Sequence, residues 1–368
     1  MRLHQKGLLF LYFISLMHIS QTTYAQNDIK QTPPLPDSTS IETQFQRTVS
    51  GGAIPIEIDM SRPIRIALVY PSSDVSDFWI RNFKAMVKRL DELRIPYQTK
   101  EFSSKQIEHA LQTRYTDEIL ASDEPYDFVI FGPSELEVQE TNIQRLANRN
   151  DFRTFIWAFH TPKENWAAYP DAWFDFSSSM GAKVLCRYVV DTLGDDVYFA
   201  MNRGIPGVTD DQRSQEFSDC VEQEGNWLNM YEHFGQYQPK GGADGAILVA
   251  KNFPEVSMLH NANTAMTIGS LDALAKLGKL DDIFVTGWGG TAKEIDKIKS
   301  GELNATPMRM SDDLGVATAE AIKLYLESRP NEVPRIYLGR ITVVSSQMPQ
   351  SQIDSLSREA FRYSGREE

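Results

Sequence analysis

Cysteine is nearly absent from this sequence: Cys186 and Cys220 are the only two in 368 residues. That count excludes a disulfide-framed small fold and a cysteine-built zinc site. Positive charge is also in deficit. Lys and Arg number 37 against 50 Asp and Glu, a formal net charge of −13 at pH 7, which argues against a nucleic-acid partner. No apolar run approaches the roughly 20 residues that a membrane-spanning helix needs. Histidine is sparse: His4, His18, His109, His160, His233 and His260 form no pair at ligand spacing, so no metal site is expected. There is no G-x-S-x-G elbow around a nucleophilic serine. Gly287-Trp288-Gly289-Gly290-Thr291 lacks the G-x-x-x-x-G-K-[ST] spacing of a phosphate cradle. With no catalytic constellation and no cofactor motif, the expectation is a protein that is not an enzyme.

What is present divides the chain. Arg2 and Lys6 precede the apolar stretch 8–17, and Thr23-Tyr24-Ala25 places small residues before Gln26. Residues 1–25 therefore read as a cleavable secretory signal, with no lipobox cysteine behind it. Residues 26–62, punctuated by Pro33, Pro34, Pro36, Gly51, Gly52 and Pro55, read as an extended arm. The remainder is long enough for two domains, and its 41% hydrophobic and 24% charged residues suit globular cores.

From Pro63 onward, strand-like and helix-like segments alternate. The runs 64–70, 97–99, 128–131, 154–159, 197–201, 247–249, 258–259, 283–285 and 305–308 read as strands. Helices are expected over 76–93, from about 181, over 211–224, and over 312–327 with Ser311 as N-cap. Alternation of this kind predicts parallel sheets covered on both faces, with ligands at the carboxyl ends of the strands. At such ends stand Asp74, Ser76 and Trp79 after the first strand, Arg213 after the 197–201 strand, and Arg309 after 305–308. Ser76 also suits a plain helix cap and Trp79 plain packing, and either arginine alone suits a surface ion pair. Two arginines on equivalent crossovers make an anion site, because guanidinium forks match paired oxygens.

Several segments carry a more specific signal. Val69-Tyr70-Pro71, the run from Val75 to Asn82 that contains Asp77-Phe78-Trp79, Leu271-Asp272-Ala273-Leu274-Ala275-Lys276-Leu277-Gly278, Gly287-Trp288-Gly289-Gly290, Met308-Arg309-Met310-Ser311-Asp312-Asp313 and Ala360-Phe361-Arg362-Tyr363-Ser364 resemble the LuxP-like periplasmic autoinducer-2 receptors. These belong to the type I periplasmic sugar-binding protein superfamily, and the resemblance runs from about Arg62 to Tyr363. It implies an α/β periplasmic binding protein type I fold, with two doubly wound parallel-sheet lobes joined by a three-segment hinge. Lobe 1 would span 63–159 plus 311–329 and lobe 2 would span 160–310 plus 333–344, with 345–368 as a packed tail. It further implies a periplasmic location, quorum sensing through a LuxQ-type inner-membrane sensor histidine kinase, and autoinducer-2 as a furanosyl borate diester in the interlobe cleft. The alternative is a solute-binding protein for another sugar, polyol or carboxylated sugar serving transport. By the same resemblance the ligand-binding residues are Asp74, Ser76, Trp79, Ala158, Arg213, Thr264, Trp288 and Arg309. The receptors carry glutamine, asparagine and threonine where this chain has Asp74, Ala158 and Gly132, which points to a changed ligand. Both cysteines fall on expected second-lobe helices, where a bridge and two free thiols are alike compatible with the periplasm.

Overall fold

The computed structural model describes residues 38–72, 77–105, 107–157 and 169–365. The expected signal segment, Asp74, Ser76 and Ala158 therefore lie outside the described residues. The elements run α1 (Ser38–Ser50), β1 (Ile64–Pro71), α2 (Phe78–Glu92), β2 (Tyr97–Ser104), α3 (His109–Leu120), β3 (Phe128–Phe131), α4 (Leu136–Ala147), β4 (Arg153–Trp157) and β5 (Ala172–Asp175). Next come α5 (Ser178–Leu193), β6 (Tyr198–Arg203), α6 (Val208–Asp210), a π-turn (Asp211–Gln215), α7 (Glu216–Gly225), β7 (Leu228–Phe234), α8 (Pro239–Asn252), β8 (Met258–Asn261) and α9 (Thr264–Leu277). The chain continues through β9 (Phe284–Thr286), α10 (Ala292–Lys299), β10 (Ala305–Arg309), α11 (Asp313–Leu326), β11 (Ile336–Leu338), β12 (Ile341–Ser345) and α12 (Gln350–Ala360).

Two six-stranded sheets result, ordered β2-β1-β3-β4-β5-β11 and β7-β6-β8-β9-β10-β12. All pairs are parallel except β10–β12. Both sheets reverse winding beside their first-formed strand, at β1/β3 and at β6/β8, and such switch points open a crevice at the strand ends. Apolar clusters fill both faces of each sheet, which accounts for the continuous Val/Ile/Phe runs of the central strands.

Four expectations need correction. Residues 38–50 form α1, because Phe45 and Val49 find a buried place against the first sheet and Phe45 meets the Tyr337 ring edge-on at 5.4 Å. Ile247–Val249 lies in α8, begun by Pro239 and packed through Ala246 and Val249. Strands β5 and β11 join the first sheet, not the second as the lobe boundaries at 160 and 333 imply: Trp173 pairs with Ile156, and Tyr337 with Phe174. Ser311 does not cap α11. Its N-cap is Asp312, whose carboxylate turns away from the helix to accept the Tyr363 and Ser364 N–H groups.

Among the described residues the chain passes between the sheets three times, after β5, after β10 and between β11 and β12. The three passages run side by side: the Gly339 N–H bonds Asp175 O at 2.8 Å, and the Met310 N–H bonds Arg340 O at 3.0 Å. Cys186 on α5 and Cys220 on α7 are joined as a disulfide with Cα atoms 6.2 Å apart. No helix among the described residues is long and apolar enough to cross a membrane.

Candidate ligand-binding site

Arg309 closes β10 where the second passage begins. Its guanidinium carbon lies 4.2 Å from the Phe78 ring centroid and 5.9 Å from that of Phe176. Phe78 opens α2 and Phe176 follows β5, so two aromatic rings of the first sheet's elements receive a cation from the second. The Nε of Arg309 has no hydrogen-bond partner. Burial, and then the neighbouring Arg213 charge, push its pKa down to about 9, while Asp175 opposes; the group stays cationic at neutral pH. Gly289 makes the approach possible, since a Cβ there would lie 2.8 Å from Arg309 Nη2.

Arg213 stands on the π-turn between β6 and α7, and Arg309 ends β10 ahead of α11, where the chain also passes between the sheets. The two come together electrostatically. π-turns of this kind often accompany functional positions. Arg213 Nε donates to Ser178 Oγ at 3.3 Å, and Nη1 donates to Ala262 O at 3.4 Å. The guanidinium lies 5.5 Å from the Trp288 ring. Burial pushes its pKa down too, and the charges of Tyr237, Asp175, Glu135 and Asp210 oppose this.

Two buried groups fix this geometry. His260, on β8, accepts from Thr286 Oγ1 through Nδ1 at 2.9 Å and donates from Nε2 to Arg213 O at 3.1 Å, which sets its tautomer. It stacks on Phe217 at 4.4 Å and meets Trp288 edge-on at 6.2 Å. Burial drops its pKa to about 3. Glu294, at the start of α10, accepts from Trp288 N at 3.0 Å and Gly290 N at 2.7 Å. It thereby ties down the glycine turn, whose Gly289 and Gly290 have φ of +114° and +62°. The Trp-Gly-Gly segment is thus a tight turn held by the buried Glu294 side chain.

Thr264, the first residue of α9, donates to Trp288 O at 3.3 Å and so braces the same turn. Trp79 lies in the first core, its ring over Gly132, where a Cβ would come within 2.5 Å of Cζ3. Of the expected residues, Arg213, Thr264, Trp288 and Arg309 thus share one neighbourhood, while Trp79 belongs to the wall of the first sheet.

Sequence reasoning missed three residues here. Glu135 follows β3, Thr209 lies just ahead of the π-turn, and Tyr237 follows β7; each is buried with a side-chain oxygen that has no partner. Burial raises the Glu135 carboxyl to about 7 and raises Tyr237 as well. Only a polar residue at a strand's carboxyl end could have flagged them, and Ser134, Gln236 and others satisfy that signal equally.

A family model for the periplasmic binding protein domain matches residues 66–330. Among solved structures, the chain is similar to an ABC transporter solute-binding protein from Agrobacterium vitis bound with alpha-D-tagatopyranose. The TM-score is 0.69 at 17% identity, covering 80% of this chain and 98% of that one. A solute-binding protein from Bacillus halodurans with bound myo-inositol gives 0.69 at 15% identity, over 83% and 100%. The fructose-binding periplasmic domain of a hybrid two-component system gives 0.70 at 13% identity, over 82% and 95%. At such identities these likenesses speak to the fold alone.

Proposed function

The chain belongs to the periplasmic binding protein family, and from that premise we propose that it captures a small sugar, polyol or carboxylated sugar between its two sheets for transport. One observation carries the reading: Arg213 lies beside the Trp288 ring and Arg309 beside the Phe78 and Phe176 rings, their charges act on each other, and among the described residues no acidic side chain is hydrogen-bonded to either. Aromatic faces suit the C–H faces of a sugar, and guanidinium forks suit its oxygens, above all an acidic pair. Three solved structures of this fold carry tagatose, inositol and fructose in their descriptions.

The second reading is the autoinducer-2 receptor that signals through a LuxQ-type sensor kinase. Two arginines suit a borate diester, and one structure of the same fold is the fructose-binding periplasmic domain of a hybrid two-component system. Asp74 weakens this reading, because a carboxylate beside a borate anion 4 Å away costs roughly 1–4 kcal/mol at effective dielectrics between 80 and 20. Ser76, Trp79 and Ala158 enter both readings as expected ligand contacts.

Calorimetry and thermal shift on the purified protein decide between them. The probes are D-tagatose, D-fructose, myo-inositol, D-gluconate, D-galacturonate and borated autoinducer-2. Binding of a sugar or sugar acid supports the first reading; selective binding of the borate ester supports the second. Silence from every probe overturns both.

A further inference from the structure

The site has an acidic side as well as a basic one. Glu135 caps the start of α4 on the first sheet, yet it touches the second sheet's elements: a Cβ on Gly207 would lie 3.1 Å from its Oε1. Gly207, at φ +151°, precedes the helical segment that carries Arg213. Glu135 is 7% exposed, Tyr237 6% and Thr209 4%, and among the described residues Glu135 Oε1, Tyr237 OH and Thr209 Oγ1 find no hydrogen-bond partner. Geometry brings them to one stretch of chain after β6: a Cβ on Gly204 would collide with the Tyr237 hydroxyl, Gly207 meets Glu135, and Thr209 follows two residues later. The charge of Arg213 acts on both Glu135 and Tyr237, and Glu135 acts on Tyr237. Asp210 is nearby but occupied, accepting from Arg203 Nε, Gly204 N and Ser214 Oγ. Buried oxygens left open in this way cost stability unless something bonds them.

We propose that Glu135, Tyr237 and Thr209 form a hydroxyl-reading subsite beside Arg213, and that Glu135 selects the ligand across the cleft. The proposal rests on the reading of the cleft as a sugar-type site and names the ligand's polarity. Its acidic or acceptor-rich end meets Arg213 and Arg309; its hydroxyl donors meet Glu135. The open oxygen of Glu135 accepts hydrogen bonds from ligand hydroxyls, and once ionised the group repels a second acid, so a sugar with one acidic end is favoured over a diacid. Tyr237 OH and Thr209 Oγ1 accept or donate as the hydroxyl pattern requires. Because Glu135 comes from the first sheet and its neighbours from the second, the subsite is complete only when the two are drawn together.

The test takes whichever probe among D-tagatose, D-fructose, myo-inositol, D-gluconate and D-galacturonate binds wild type best, together with its monodeoxy analogues. Glu135→Gln should weaken the parent probe about tenfold. One deoxy analogue should lose about tenfold on wild type and nothing further on Glu135→Gln, a coupling that a purely structural carboxylate would not produce. Tyr237→Phe removes only the unbonded hydroxyl. It should weaken the probe severalfold with an unchanged melting temperature, and it carries the test if Glu135→Gln folds poorly. A probe that binds wild type and both variants equally overturns this proposal while leaving the sugar-site reading standing. No binding of any probe by wild type overturns the two together.

Discussion

Arg309 rests its guanidinium on Phe78, 4.2 Å from the ring centroid, so that the end of the second sheet's β10 is seated on the first turn of the helix after the first sheet's β1. A desolvated cation on an aromatic face is worth about 2 kcal/mol. Repulsion from Arg213 opposes that gain. Arg309→Ala should therefore change the unliganded protein by less than about 2 kcal/mol and abolish ligand-dependent stabilisation. Wild type should gain roughly 2.7 kcal/mol at a hundredfold excess of ligand over Kd. Thermal shift with and without the binding probe checks this; a surviving shift in the variant removes Arg309 from the site.

His260 should stay neutral well into acid. Its pKa is lowered from 6.5 to about 3 by burial, so the stability it confers is complete above pH 6.5 and drains as pH falls from there toward 3. Proton NMR of the imidazole should show no titration between pH 5 and 8. His260→Gln should lose the acid-labile part of the stability curve and, by releasing Arg213 O, weaken ligand binding. A variant with the wild-type acid profile refutes the assignment.

The Cys186–Cys220 bridge closes a chain separation of 34 residues between α5 and α7. Thiol titration of the denatured, unreduced protein should find no free thiol. Replacing both cysteines with serine should cost about 3–4 kcal/mol by loop-closure entropy. Two titratable thiols in the unreduced protein would rule the bridge out.

Gly132 is where the resembling receptors carry threonine, and here the Trp79 ring occupies the space a side chain needs, with Cζ3 2.5 Å and Cε3 2.9 Å from an added Cβ. Gly132→Thr should destabilise by about 1–3 kcal/mol, the usual cost of overpacking. Chemical denaturation measures it, and a neutral outcome would show that Trp79 moves freely.

The alternation of strands and helices, and with it the parallel sheets, was legible in the chain, because buried parallel strands need near-continuous apolar runs such as residues 66–71. Local chemistry also marked Arg213, Arg309 and the glycine turn around Trp288, since each lies between a strand's carboxyl end and the helix that follows it. Tertiary structure alone decided the rest. Helix α1 exists because Phe45 finds a core that its proline-rich surroundings do not announce. Strand β5 joins the first sheet through pairing with β4, a register no local pattern fixes. Glu135 becomes remarkable neither by spacing nor by neighbours in the chain. Its side chain is buried against Gly207, 72 positions later in the chain, and the cost of burying a charged group is a property of the folded cleft.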